Sequence, residues 1–182
     1  AIVTLNGKGL RTAPGGQVIT IKRVWENFDK LTLQLPLEVK TSSWGRNSSA
    51  IERGPLVYAL NIGERWEKGT DEKEGDYFSV YPTEDWNYGL LHEVVKNPKE
   101  NLEVKFKPMP PGFKWNLAGT PIEIIASGKK VPGWKAVGGV AHQPVTDRIG
   151  VYKGLVEDEV KKITLVPYGF TKVRIVAFPV VK

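Results

Sequence analysis

Glu84 and Asp85 stand side by side, and Glu93 follows in the same segment. Hydrolysis of a glycosidic bond needs two carboxyl groups placed across the scissile bond, one to protonate the leaving oxygen and one to act as base or nucleophile. These three acids are the candidates for such a pair. Their spacing does not set any two of them face to face, and acids at the start of a strand usually sit in solvent, so a self-sufficient hydrolase ranks third among the functional readings. Metal chemistry has even less support. His92 and His142 are the two histidines, fifty residues apart, and there is no cysteine to complete a site. The missing cysteine also removes disulfide scaffolds and thiol nucleophiles. No Gly-x-Ser-x-Gly elbow occurs. Gly15-Gly16 and Gly138-Gly139 read as turn glycines rather than phosphate cradles. Asn47-Ser48-Ser49 has the form of a glycosylation sequon. No catalytic residue, metal or cofactor is assigned from these residues.

Aromatic residues carry more information. Six tryptophans, at positions 25, 44, 66, 86, 115 and 134, are many for this length. Trp and Tyr either fill a core or stack on the apolar face of a sugar ring. Trp25 ends a patterned segment and reads as core. Trp66, Trp86, Tyr88, Trp115 and Trp134 are the candidates for carbohydrate binding; Trp86 and Trp115 each precede an Asn able to hydrogen-bond hydroxyls. For each of the five, packing is the competing and weightier reading.

The elements that must position these side chains are strands. Apolar and β-branched residues recur at period 2 in short runs bounded by Gly, Pro and Asn. Gln17–Trp25 and Lys30–Leu35 both alternate, and the short connection Glu26–Asp29 predicts that they pair as a hairpin. Pro55–Leu60 is apolar on both faces, as a central strand would be. Further strands are expected at Tyr77–Tyr81, Trp86–Glu93, Leu102–Phe106, Ile122–Ser127, Ile163–Pro167 and Lys172–Phe178. Residues 64–76 hold almost nothing able to enter a core and read as a solvated loop or linker, an internal boundary between 1–63 and 77–182 within a single sandwich spanning 1–182. Residues 128–158 read as a long loop with one short strand. Many short strands without amphipathic helices predict an all-β fold: an antiparallel β-sandwich, jelly-roll-like, with few or no helices.

Composition agrees with a folded domain: 182 residues, 41% hydrophobic, 25% charged, 19 Gly and 13 Pro. The formal charge of +6 raises the question of nucleic acid. Residues 1–62 hold 8 basic against 4 acidic side chains, residues 63–100 hold 5 against 10, and residues 101–182 hold 13 against 6. The basic excess is thus interrupted by an acidic stretch, and aromatics do not interleave with basic residues along any strand, so no nucleic-acid partner is expected. No apolar run reaches the length of a membrane span, and no membrane partner is expected. The opening Ala1–Asn6 has no signal-peptide pattern and no initiator Met, which suggests a fragment of a longer polypeptide; its compartment cannot be read directly.

Several of these segments carry a resemblance. Val18-Ile19-Thr20-Ile21-Lys22-Arg23-Val24-Trp25, followed by Asp29-Lys30-Leu31-Thr32-Leu33-Gln34-Leu35-Pro36-Leu37, is similar to the I-x-R-x-W … G-D-x-V-x-L-x-L-P-M stretch that follows the catalytic barrel in β-L-arabinofuranosidase-like enzymes of glycoside hydrolase family 127, also described as domain of unknown function 1680. Ala50–Leu60 resembles the family's A-I-x-R-G-P-L-V-Y strand. Asp85–Leu90, Lys130–Trp134 and Thr164–Gly169 continue the likeness, in order, over most of the chain. The resemblance implies the C-terminal β-sandwich of a larger hydrolase, with a periplasmic or secreted parent plausible. The catalytic α/α-barrel of the same polypeptide would be its partner. A zinc-bound cysteine and a glutamate in that barrel would do the chemistry, and none of those residues maps to a position here. The favoured expectation is a non-catalytic accessory domain packing on the barrel or on a second subunit as a homodimer contact. The runner-up is an ancillary module for a plant-type glycan.

Overall fold

The structure, a computed structural model, describes residues 1–44, 48–109, 111–143, 152 and 154–182. Asn47 of the sequon and part of the long 128–158 segment lie outside them. The chain forms two compact units, Ala1–Glu38 and Val39–Lys182.

The first unit is a three-stranded antiparallel sheet of β1 (Ile2–Leu5), β2 (Lys8–Thr12) and β3 (Leu31–Gln34), in the order β2-β1-β3. Asn6 and Gly7 turn between β1 and β2 with φ of 50° and 77°, the left-handed pair that a two-residue hairpin requires and that Asn-Gly supplies at least cost. The same Asn6 pins the start of β3. Its Oδ1 accepts from the Lys30 amide at 2.8 Å, and its Nδ2 donates to Asp29 Oδ1 at 2.7 Å. Asp29 also accepts from the Glu26 amide and pairs with Arg23 at 3.0 Å. These contacts, the Glu26 amide foremost and then Asn6, hold its carboxyl below the usual range. The hairpin expected between Gln17–Trp25 and Lys30–Leu35 does not form. Residues 17–25 contain no strand; Val18 and Val24 stand in solvent, and Trp25, expected in the core, is half-exposed with the Arg23 guanidinium over its ring, while β3 pairs with β1 instead.

The second unit begins with β4 (Val39–Ser43), β5 (Ser48–Arg53) and β6 (Leu56–Leu60), the last two joined by the Gly54-Pro55 turn. A separate hairpin follows, β7 (Arg65–Asp71) with β8 (Gly75–Tyr81). Then come β9 (Tyr88–Leu91), two short helices α1 (His92–Lys96) and α2 (Pro98–Asn101), β10 (Glu103–Phe106) and β11 (Ile122–Lys130). A small hairpin of β12 (Ala136–Val137) and β13 (Val140–Ala141) leads to β14 (Val160–Pro167) and β15 (Phe178–Val181). The expected all-β antiparallel sandwich is the observed class, with β9 and β15 the parallel exception.

Eight strands form one sheet in the order β10-β11-β14-β6-β5-β15-β9, with β4 added on β5. A second pairing of β9 with β11 closes the path back on β11, so six strands, β10 excluded, make a hydrogen-bonded circuit. Every strand of the circuit sends a side chain into the main core: Ile51, Tyr58, Leu90, Ile124, Leu165 and Phe178 are all fully buried. Strand β11 shows the two-residue period in its burial. Ile122, Ile124, Ala126 and Gly128 turn inward while the intervening residues are half-exposed. Close approach at the junction explains two glycines. A Cβ on Gly128 would lie 2.7 Å from the Gly89 carbonyl oxygen, and one on Gly89 would lie 2.5 Å from the Val181 side chain.

Three local differences from expectation have physical causes. Residues 64–76 are not a loop: most of the stretch is β7, paired in full register with β8 from Arg65↔Tyr81 to Asp71↔Gly75. Asp71 caps the turn by accepting from the amides of Lys73 and Glu74, which lowers its pKa, and Gly75 takes φ of 82°. The strand expected at Trp86–Glu93 ends at Leu91, where α1 begins and buries Val94. The strand expected at Lys172–Phe178 is confined to Phe178 onward. Upstream, Thr171 Oγ1 donates to the Val173 carbonyl and Arg174 Nε to the Thr171 carbonyl, folding the chain back on itself.

Candidate functional site

Two concavities of the second unit carry the side chains that could bind something. The first is an apolar groove of about 800 Å³. Trp44 reaches it just after β4, its indole nitrogen donating to Ser42 Oγ at 2.8 Å. Leu56 comes from the start of β6, after the Gly54-Pro55 turn. Met109, Phe113 and Trp115 come from the connection between β10 and β11, and Tyr168 and Phe170 from the 3-10 turn Tyr168–Phe170 that follows β14.

The aromatic rings of this groove support one another. Phe113 meets Trp115 edge to face with centroids 5.0 Å apart, Phe113 meets Phe170 at 5.8 Å, and Trp115 tilts over Phe170 at 4.8 Å. Asn116 fixes the base of the Trp115 loop by accepting from the Gly119 amide at 2.9 Å, capping the turn Leu117–Gly119. The Arg174 guanidinium lies 4.1 Å from the Tyr168 ring centroid, a cation–π contact that holds the ring at the rim. Trp115 is nevertheless 66% exposed and Trp44 64% exposed. Large rigid aromatics held open to water on an apolar wall mark an interaction surface rather than a core.

The second concavity is a polar cleft of about 830 Å³, bordered by residues of β6, β9 and β14 and by the segment Pro82–Asp85. The Thr83 and Glu84 amides both donate to the Ile62 carbonyl, at 3.1 and 3.0 Å, which places Glu84 at the cleft mouth. Asp85 pairs with Lys130, and that hydrogen bond raises the lysine pKa. Lys161 pairs with Glu159 at 3.2 Å, which raises its pKa as well, and Lys162 donates to Ser127 Oγ at 2.9 Å.

The residues singled out from the sequence fall in different places. Glu84, Asp85 and Tyr88 gather at the polar cleft. Glu93 sits in the first turn of α1 and does not line it. Trp86 and Trp134 pack edge to face and border a separate, smaller concavity of about 420 Å³; Trp134 is 5% exposed and its indole nitrogen donates to the His142 carbonyl. Asn87, a candidate for hydroxyl recognition, instead donates to the Val131 carbonyl at 2.9 Å. Trp115 belongs to the apolar groove, and Trp66 lies on the β7–β8 hairpin, edge-on to Phe78 at 6.0 Å. Among the described residues, no group of three or more His, Asp or Glu side chains is placed to hold a metal ion.

Sequence reasoning passed over Met109, Phe113, Tyr168, Lys161 and Lys162. The signal that could have found the first three is the concentration of aromatics in Pro/Gly-rich connections, where no strand face exists to bury them. No family model, no curated protein and no solved structure matches the chain.

Proposed function

We propose that this chain is a non-catalytic accessory β-sandwich of a glycoside hydrolase, and that its apolar groove docks against the catalytic barrel of the same polypeptide. The observation that supports this reading is the groove itself: about 800 Å³, walled by Trp44, Trp115, Tyr168 and their neighbours, with the rings braced from behind yet open to water. Trp and Tyr are the residues that dominate the energetics of protein interfaces, and a folded domain rarely leaves such a patch uncovered. The family resemblance supplies the identity of the partner, since the likeness is to the region following a catalytic barrel.

The test is oxidative footprinting of Trp44 and Trp115 in the isolated chain and in the polypeptide that carries the barrel. Strong protection of both indoles in the longer polypeptide is the expected result. Equal labelling in the two would refute the docking role, and protection appearing in the isolated chain at high concentration would replace the barrel by a second copy. The isolated chain is also expected to release no sugar from aryl glycosides.

A further inference from the structure

We infer that the polar cleft bordered by β6, β9 and β14 is a binding site for a neutral saccharide, independent of the docking role of the groove. The cleft is of ligand size, about 830 Å³, against roughly 300–1,000 Å³ for small-molecule sites. Its charges cancel. Glu84 and Asp85 border it together with Lys161 and Lys162, so an anionic ligand meets two carboxylates and a cationic one meets two ammonium groups. A neutral ligand meets neither penalty.

The hydrogen-bonding inventory narrows the class further. Asp85, Lys161 and Lys162 are already committed, to Lys130, Glu159 and Ser127 respectively. Glu84, the Tyr88 hydroxyl and the hydroxyls of Thr83 and Thr164 border the same cleft and make no side-chain hydrogen bond within the described protein. Asn61 spends its side-chain oxygen on the Gly63 amide and keeps its NH₂ free. The uncommitted set is therefore one pure acceptor, one pure donor and three hydroxyls that do either. Each hydroxyl of a sugar both donates and accepts, which is what such a mixed set satisfies. The ring of Tyr88 adds an apolar contact for the C–H face of a pyranose or furanose.

The experiment is titration of the full chain, followed by amide NMR shifts, with neutral sugars (D-galactose, L-arabinose, D-xylose, cellobiose) and with glucuronate and glucosamine as charged controls. Saturable binding of at least one neutral sugar is expected with a Kd on the order of 1–10 mM, the shifts mapping to Asn61, Tyr88 and Thr164. Glu84→Gln and Tyr88→Phe should each weaken it by about fivefold to tenfold with the dispersion of the spectrum unchanged, while Trp115→Ala leaves it alone. The inference is overturned if no neutral sugar saturates, if a charged control binds better, if both cleft variants bind like the parent chain, or if Trp115→Ala abolishes binding. Footprinting of Trp44 and Trp115 reads the docking role by a separate signal, so the two can fail separately.

Discussion

The indole rings of Trp86 and Trp134 meet edge to face, their centroids 5.0 Å apart and their planes at 69°. Trp86 packs against both hydrophobic clusters of the second unit, and Trp134 belongs to the smaller one with Val131 and Val181. The pair therefore stitches the two clusters together. Trp134→Ala is expected to cost about 3–5 kcal/mol, the usual loss for a buried large aromatic, whereas exposed Trp115→Ala should cost about 1 kcal/mol or less. Guanidinium unfolding of the two variants checks this, and equal losses would contradict the division of the tryptophans into core and surface.

The second prediction concerns the junction of β9, β11 and β15. Neither Gly89 nor Gly128 has room for a Cβ, and in each case a backbone carbonyl is among the obstructing atoms, which cannot swing aside as a flexible side chain would. Gly128→Ala should destabilise by about 1–3 kcal/mol through overpacking. Amide exchange should show the damage first at Tyr88–Leu91. A variant as stable as the parent would mean that the strands have slack there.

Acid sensitivity should arise in part from Glu52. Ser42 Oγ donates to its carboxylate and Lys40 pairs with it at 2.9 Å, which together hold it below the ordinary 4.5. A carboxyl with a lower pKa in the folded than in the unfolded chain contributes stability above the unfolded value and loses it as pH falls through the folded one. Glu52→Gln should thus shrink the drop in urea midpoint between about pH 5 and pH 2. Asp29, Asp71 and Asp76 are shifted in the same direction and retain their share. An unchanged acid limb in the variant would show that Glu52 has no part in it.

Tyr58 offers a test of the opposite kind. Its ring is in the main core, and its buried hydroxyl makes no hydrogen bond of good geometry among the described residues, although the Arg53 side chain lies close enough to interact with it. Burial pushes its pKa up, against the opposing charge of Arg53. Removing an unsatisfied polar atom while keeping the ring should be neutral or stabilising by up to about 1 kcal/mol. Thermal unfolding of Tyr58→Phe measures this; a clear loss of stability would reveal a partner for the hydroxyl.

Much of the sandwich was legible because its inward faces are apolar. Strands β6, β10, β11 and β14 overlap the runs read as strands from the sequence, and β3 and β8 were read as strands as well. Gln17–Trp25 misled because alternation defines a face but not a neighbour. Of the β7–β8 hairpin only β8 stood out, through Tyr77–Tyr81; β7 is exposed along most of its length, needs no apolar face, and its polar residues read as loop. At the polar cleft, the side chains of Glu84, Asp85 and Tyr88 stood out by type. Lys161 and Lys162 on the same cleft did not, since their place there is set by long-range pairing: β14 with β11, which carries β9, and the Asn61 amide bonded to the Thr164 carbonyl. The groove is assembled from three separate connections, and connections have no period to read.

The hydrogen-bonded circuit has a kinetic meaning. Strand β15 closes it by pairing Phe178 with Ser49 on one side and Val180 with Leu90 on the other, and both partners are remote in sequence. Contacts of that range are entropically late, so the edges of β5 and β9 stay open until β15 arrives. Unpaired strand edges are templates for other chains. Refolding yield should therefore fall with protein concentration for as long as that latch is open, and the finished ring should be far less prone to association than the chain that builds it.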